Sequence, residues 1–375
     1  MDFFLSDKNA TTETTALYKR LNDVVKEKKV LFGHQNSTWI SVGGNSLGDV
    51  YDVLNALPAI VGIDTLALSG NESTCESYEA ALDMSVELCK KAYKMGCIIT
   101  LSGHMPNFSS PNIVRTSEGK YDFTGCDFMD TKDKSNDCAY RILEGGEYNE
   151  VFNAYLDMIV SFLLELDKSG IPVIFRPWHE NNGEWFWWGV DIDGEQYKKI
   201  YQYTACYLKS KGVHNLLYVY SPNGPFKSEE EYMDRYPGDE FIDIMAFDYY
   251  DDYLYGEAYR ETFFNEMKES SAIISKLAKE HKKIAAISEA GVRVAKDPAN
   301  EDMNGFLKEG NPVLNHNWFI KIGEIAIDND MPYFLVWGNF CDNNHYLPYL
   351  KADGTKHEMA KEFEDFYNWN KSIFV

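Results

Sequence analysis

Eight short apolar runs, each followed by a helical pattern, constrain this chain more than any other feature. They are KVLFGHQ (29–35), PAIVGID (58–64), GCIITLSGH (96–104), PVIFRPWHE (172–180), NLLYVYSPN (215–223), FIDIMAFDYY (241–250), KIAAISEAG (283–291) and PYFLVWGNF (332–340). Near-continuous apolar segments of this length are what strands buried on both faces look like. The clearest intervening helix is 149–170, where Val151, Phe152, Tyr155, Met158, Ile159, Phe162, Leu163 and Leu166 form one stripe at helical spacing. Gly170 and Pro172 stop it. Further helical stretches fit 13–27, 196–211, 262–281, 315–328 and 357–371, and another begins at Ser73 with Glu76 completing a capping box. Strand–helix alternation repeated eight times specifies an α/β fold, the (β/α)8 TIM barrel. A doubly wound sheet also alternates, but no GxGxxG follows a strand here. Without a Pro/Gly/Ser linker or an internal repeat, residues 1–375 read as one barrel domain. It opens with a helical segment, 1–27, and carries a long polar loop, 105–147, after the third strand. Loops of that length inside compact domains are usually functional or disordered.

A net charge of −23 argues against nucleic acid and anionic membrane as partners, since both demand a basic footprint. No apolar run is long enough to span a bilayer, and the start of the chain lacks the basic and apolar regions of an export signal. The seven cysteines form no CxxC pair; Cys126 and Cys138 are close enough in sequence to bridge, whereas Cys89 and Cys97 sit in apolar settings that suit free thiols. Aromatic residues make up 15% of the chain, which fits either a large core or a groove paved for flat ligands.

Barrel enzymes carry their chemistry at the C-terminal ends of the strands. The polar or aromatic residues there are His34, Gln35, Asp64, His104, His179, Glu180, Asn223, Asp248, Tyr250, Glu289, Trp337 and Asn339. Glu180 closes the fourth run and Glu289 the seventh, and a carboxylate after a buried run must be paired, hydrogen-bonded or used. His179-Glu180 invites a zinc-protease reading, but HExxH needs a helix and a second histidine at 183, which is glycine. No carboxyl-rich cluster accompanies the scattered histidines, so neither metal nor cofactor is expected. Two carboxylates beside aromatic rings fit glycoside hydrolysis, in which one protonates the leaving oxygen and the other attacks the anomeric carbon or activates water. The stretch RPWHENNGEWFWWG (176–189) supplies flat faces for sugar C–H surfaces and amides for hydroxyl edges. Of its four clustered rings, Trp185 is expected to meet the sugar, with Phe186, Trp187 and Trp188 mainly holding the loop. Arg176 either orients a carboxylate or forms an ion pair inside the barrel.

RPWHENNGEWFWWG together with AISEAGV (286–292) closely resembles glycoside hydrolase family 26, and the likeness runs from LFGHQN (31–36) to VWGNF. That family consists mainly of β-1,4-mannanases, with some lichenases and β-1,3-xylanases. The resemblance implies a retaining barrel enzyme with Glu180 as acid/base and Glu289 as nucleophile. It implies Tyr250 as the hydrogen-bond partner of the nucleophile and His179 as the histidine preceding the acid/base. Trp185 matches the substrate-stacking tryptophan, Trp337 the floor of the subsite beside the cleaved bond, and His104 the non-reducing side of the cleft. Arg176, Asp248 and Asn339, polar at the same barrel end, join the expected substrate contacts. The family's mannanases often carry an arginine directly after the equivalent of Trp337, whereas Gly338 and Asn339 follow it here. The implied substrate is β-mannan or a related hemicellulose, cut internally by a monomeric enzyme. A secreted or cell-surface location follows from the polymeric substrate. Mixed-linkage β-glucan and β-1,3-xylan are the alternative substrates, and an inactive carbohydrate-binding barrel is the alternative of another class.

Overall fold

A computed structural model describes residues 5–72, 75, 78–126, 128, 137–252, 257–293, 307, 309–311 and 313–375. Eight strands form the barrel: β1 (Val30–Gln35), β2 (Ile60–Asp64), β3 (Ile98–Gly103), β4 (Val173–Pro177), β5 (Leu216–Tyr220), β6 (Ile244–Asp251), β7 (Ile284–Val292) and β8 (Tyr333–Val336). Each pairs in parallel with the next, and β8 closes on β1 through Leu31↔Tyr333 to His34↔Val336. This is the (β/α)8 barrel that the alternation specifies. The larger helices between strands are Tyr78–Lys94, Asn149–Asp167, Gly194–Ser210, Glu257–Glu280 and Trp318–Asp328, with Ala360–Tyr367 after the last strand. The capping box expected at Ser73–Glu76 lies outside the described residues. Helices of four to six residues, such as Asp49–Leu54, Thr65–Leu68 and Glu229–Met233, are too short to show a 3.6 period and escaped the sequence reading.

Alternation along each strand sorts side chains between the barrel interior and the helical shell. Ile174, Leu217, Val219, Ile244, Ala246, Ile284 and Ala286 point inward to one cluster. The helix Thr12–Lys26 plugs the bottom of that cluster with Leu17, Tyr18, Leu21 and Val24. Thr11 caps this helix by accepting from the Thr14 N–H at 3.1 Å, which is the usual role of a threonine there. Above the apolar layers the inward positions turn polar, with Ser102, Arg176, Ser221, Asp248 and Ser288 all buried. These polar residues underlie the open end of the barrel.

One irregularity decides what that end presents. In β7, Ile284 and Ala286 face inward while Ala285 and Ile287 face the helices, so strict alternation would turn Glu289 outward. Both neighbouring strands step past one residue at this point: Phe247 pairs with Ile287 and Asp248 with Glu289, and on the other side Phe334 and Val336 flank the shift. The resulting β-bulge at Ser288 leaves Ser288 inward and brings Glu289 inward as well.

Within the 105–147 stretch, Val114–Arg115 and Tyr121–Asp122 pair as a small antiparallel ribbon, and a short helix spans Asp137–Arg141. None of the cysteines is in a disulfide, so Cys126 and Cys138, both buried, are not bridged. No helix among the described residues is long and apolar enough to cross a membrane.

Candidate active site

A cleft of about 570 Å³ lies at the C-terminal ends of the strands. Its β4 wall begins where the strand stops. β4 ends at Pro177, and Trp178 and Glu180 take left-handed backbone angles, φ +56° and +50°, which are uncommon for residues with a side chain. The turn is held by neighbours: the Glu180 N–H donates to the Ser221 carbonyl at 2.7 Å, and Asn182 exchanges bonds of 2.7 and 2.8 Å with the Asn223 backbone. The Trp178 indole is driven outward to Thr204 on the Gly194–Ser210 helix, at 3.0 Å. Glu180 is thereby aimed into the cleft, 7% exposed, with its Oε2 accepting from Trp185 Nε1 at 2.6 Å. Gly183 makes this bond feasible, because a Cβ there would overlap the Trp185 indole. Burial, then the charges of Glu289 and Asp248, hold the Glu180 carboxyl well above the usual carboxylate range, against the opposing pull of Arg176 and Arg293.

The β6–β7 wall is built of charge. Arg176 donates from Nη1 to Asp248 Oδ2 and from Nη2 to Glu289 Oε2, each at 2.5 Å. Asp248 Oδ1 takes the hydroxyls of Ser221 and Ser288, both at 2.8 Å. Tyr250 stands two residues past Asp248 on the same face of β6 and donates its hydroxyl to Glu289 Oε1. Glu289 thus meets a guanidinium on one oxygen and a phenol on the other, a setting that a carboxylate fills. A buried guanidinium shared by two carboxylates, with the remaining lone pairs bonded, is the arrangement in which buried charges are tolerated.

At the β2–β3 side, His104 Nδ1 meets Asp64 Oδ2 at 2.7 Å, and its Nε2 lies 3.3 Å from His179 Nε2. Burial opposes a charged imidazole, but Asp64, with Glu289 and Glu72 behind it, raises His104, while burial and the Arg176 charge keep His179 neutral. The N–H between the two rings therefore belongs to His104. Trp337, just past β8, packs its ring 5.6 Å from that of His104. Glu72 also lines the cleft, and burial and Asp64 push its carboxyl up to about 7.

The model of glycosyl hydrolase family 26 matches residues 6–324. The chain belongs to that family. A mannan endo-1,4-beta-mannosidase of Bifidobacterium adolescentis is 33% identical over 387 residues, which span 99% of this chain and 35% of that protein. One from Bacillus subtilis is 38% identical over 130 residues, 31% of this chain and 34% of its own length. The chain thus spans about a third of the length of these curated relatives. Among solved structures, the catalytic domain of the Bacillus sp. JAMB-750 family 26 endo-beta-1,4-mannanase superposes with a TM-score of 0.83 at 34% identity, covering 99% of this chain and 94% of that one. A modular endo-beta-1,4-mannanase from Cellulomonas fimi follows the fold with a TM-score of 0.81 at 27% identity, over 99% of this chain and 77% of that one.

Of the residues that the family 26 resemblance and the strand ends singled out, seven meet in the cleft: His104, His179, Glu180, Trp185, Tyr250, Glu289 and Trp337. Three expected substrate contacts do not. Arg176 and Asp248 lie beneath the cleft floor, 3% and 0% exposed, with their polar atoms engaged by each other, by Glu289 and by the two serines. Asn339 is 0% exposed; its amide nitrogen donates to Asp49 and the Leu347 carbonyl, and its oxygen accepts from the Tyr346 and Leu347 N–H groups. It braces the loop after β8 and presents nothing to a ligand. Phe186 also departs from expectation. Trp187 and Trp188 do hold the loop, through the Met105 and His179 carbonyls, but Phe186 stacks on Trp188 and lines the cleft.

The sequence reading missed Glu72, Phe128, Arg293, Phe340, Asn344 and Tyr346, all cleft-lining. Arg293 sits four residues past Glu289, and Phe340 one past the last polar position considered, so scanning further beyond each strand end would have found both. Glu72 and Phe128 carry no such signal. Among the described residues, no group of three or more His, Cys, Asp or Glu is arranged to hold a metal ion.

Proposed function

We propose that this chain is the catalytic domain of a secreted, monomeric endo-β-1,4-mannanase that hydrolyses mannan, glucomannan or galactomannan with retention. The observation that carries the reading is the unlike treatment of two glutamates in one cleft. Glu180 is buried beside rings with its proton affinity raised, and Glu289 is met by the donors Arg176 and Tyr250. A protonated carboxyl facing an ionised one is the pairing that double displacement needs.

Glu180 Oε2 accepts from Trp185, so Oε1 carries the proton. Glu180 gives that proton to the glycosidic oxygen as the C1–O bond breaks, and Glu289 attacks C1 to form a glycosyl ester. The leaving chain departs. Glu180, now a carboxylate, takes a proton from water, whose oxygen attacks C1 from the vacated side and releases Glu289. Tyr250 and Arg176 hold Glu289 throughout, and Trp185, Phe186 and Trp337 offer faces to the sugars. His104, charged through Asp64, and neutral His179 supply hydroxyl contacts on the non-reducing side. The mannosidase relatives and the mannanase structures support mannan over the other β-glycans.

Side-by-side product analysis on mannan, mixed-linkage β-glucan and β-1,3-xylan tests it. The expected result is manno-oligosaccharides from mannan, released with retained anomeric configuration. Faster release from either other polymer, or an inverted first-formed anomer, would remove the reading.

A further inference from the structure

Arg293 is the first residue beyond β7, and no part of the reaction just described uses it. Its backbone N–H extends the β6–β7 pairing by one step, donating to the Asp251 carbonyl at 3.0 Å. The side chain then folds back over the site. Nε and Nη2 fork onto the two oxygens of Asp252 at 2.8 and 2.7 Å, and the guanidinium carbon lies 4.3 Å from the centroid of the Tyr250 ring. The Tyr346 ring meets Tyr250 edge-on at 5.5 Å. Tyr250 therefore touches both a cation and a second ring, with its hydroxyl on Glu289. Arg293 and Tyr346 line the same cleft as Glu180.

We propose that Arg293 is a positioning residue for the hydrolysis: it clamps the Tyr250 ring so that the phenol stays on Glu289, and it sets a fixed positive charge beside the cleft that Glu180 shares. The proposal rests on the retaining-glycosidase reading above. A planar guanidinium suits both tasks, since its face stacks on a ring while its edge forks onto a carboxylate. The charge has work to do because Glu180 must serve twice, as acid and then as base. Glu180 shares the cleft with the titratable groups Glu289 on β7, Tyr250 on β6, Glu72 past β2, His104 past β3, its neighbour His179 and Tyr346 after β8, and Arg176 and Asp248 act on it from beneath. Burial, Glu289 and Asp248 favour its protonated form, and Arg176 and Arg293 oppose them. Arg176 is committed to two carboxylates, whereas Arg293 is committed to one, Asp252, whose side chain is 44% exposed.

Arg293→Met and Arg293→Lys, measured against the parent for kcat, KM and the pH dependence of kcat/KM on mannan oligosaccharides, test the proposal. Arg293→Met should lower kcat by about tenfold or more, the scale of a mispositioned catalytic group, and should move the alkaline limb to higher pH. Arg293→Lys should return the limb to the parental position, because the charge remains, yet keep a lowered kcat, because an ammonium neither stacks flat nor forks. Parental kcat and limb position in both variants, or a change in KM alone, would overturn it. Should Arg293→Met fail to fold, Arg293→Lys decides: a lowered kcat with the parental limb supports the clamp, and parental values in both refute it. A parent inactive on mannan, glucan and xylan alike would instead overturn the underlying reading, and this inference with it.

Discussion

At the end of β7 a glutamate is held by charge, and at the end of β4 a glutamate is held by rings and a strained turn. Glu289 stays within the sheet, brought inward by one inserted residue and tied to Tyr250 and to Arg176, which also holds Asp248. Glu180 lies three residues past its strand in a left-handed backbone, with an indole N–H as its one side-chain partner among the described residues. Two chemically identical side chains are thus given unlike surroundings, and it is through such surroundings that a fold sets how readily a carboxyl holds a proton.

The largest effect should come from the charged side. Glu289→Ala should lose essentially all turnover, seen as absence of reducing ends, while the protein still folds. Arg176→Met should act on folding itself: leaving Asp248 and Glu289 buried without their cation should cost about 3–5 kcal/mol, read as a fall in Tm and in the denaturation midpoint. If Arg176→Met is as stable as the parent, the two walls do not differ in the way described.

On the aromatic side the losses should be catalytic. Glu180→Ala should slow mannan hydrolysis by about 10²–10⁴-fold, the usual value of a general acid, and should slow aryl glycosides with good leaving groups much less. The pH behaviour follows from the same carboxyl. Because its folded affinity for a proton is raised well above the ordinary 4.5, its contribution to stability is fully present below that value and is lost as pH rises through the folded one. Activity should fall along the same limb, as the acid ionises. Glu180→Gln should flatten the alkaline decline in Tm; an unchanged decline would show that Glu180 does not titrate as argued.

Smaller effects separate the supports. Gly183→Ala should displace the Trp185 indole and lower kcat/KM by up to about 10²-fold with little change in Tm, since the indole lies at the cleft. Asn339→Ala should cost about 1–3 kcal/mol, the range for an orphaned buried hydrogen-bond group, and should weaken substrate binding only through the Tyr346 loop it braces. An Asn339→Ala variant with parental Tm but a raised KM would restore the direct contact that the burial of Asn339 argues against.

Much of this architecture was legible in the linear chain because its causes are local. Strands buried on both faces read as apolar runs, helices as 3.6-residue stripes, and the polar residues closing each run marked Glu180, Glu289 and Tyr250. Tyr250 and Asp248 share a face because they are two apart on a regular strand, which alternation predicts. The same alternation would have turned Glu289 outward, and only the bulge at Ser288, set by the register of both neighbouring strands, brought it in. Likewise no local pattern says that Arg176 meets a carboxylate 113 residues away and so is withdrawn from the cleft. Nor does any local pattern bring Glu72 and Phe128 to the cleft, or hide Asn339, which has the same composition-level claim to a sugar as any exposed amide. Which elements form, and at which end chemistry can sit, is written in the linear chain, since periodicity and polarity act over a few residues. Closure of the barrel decided which polar groups are consumed by one another and which are left for a ligand, because that depends on who meets whom across the interior.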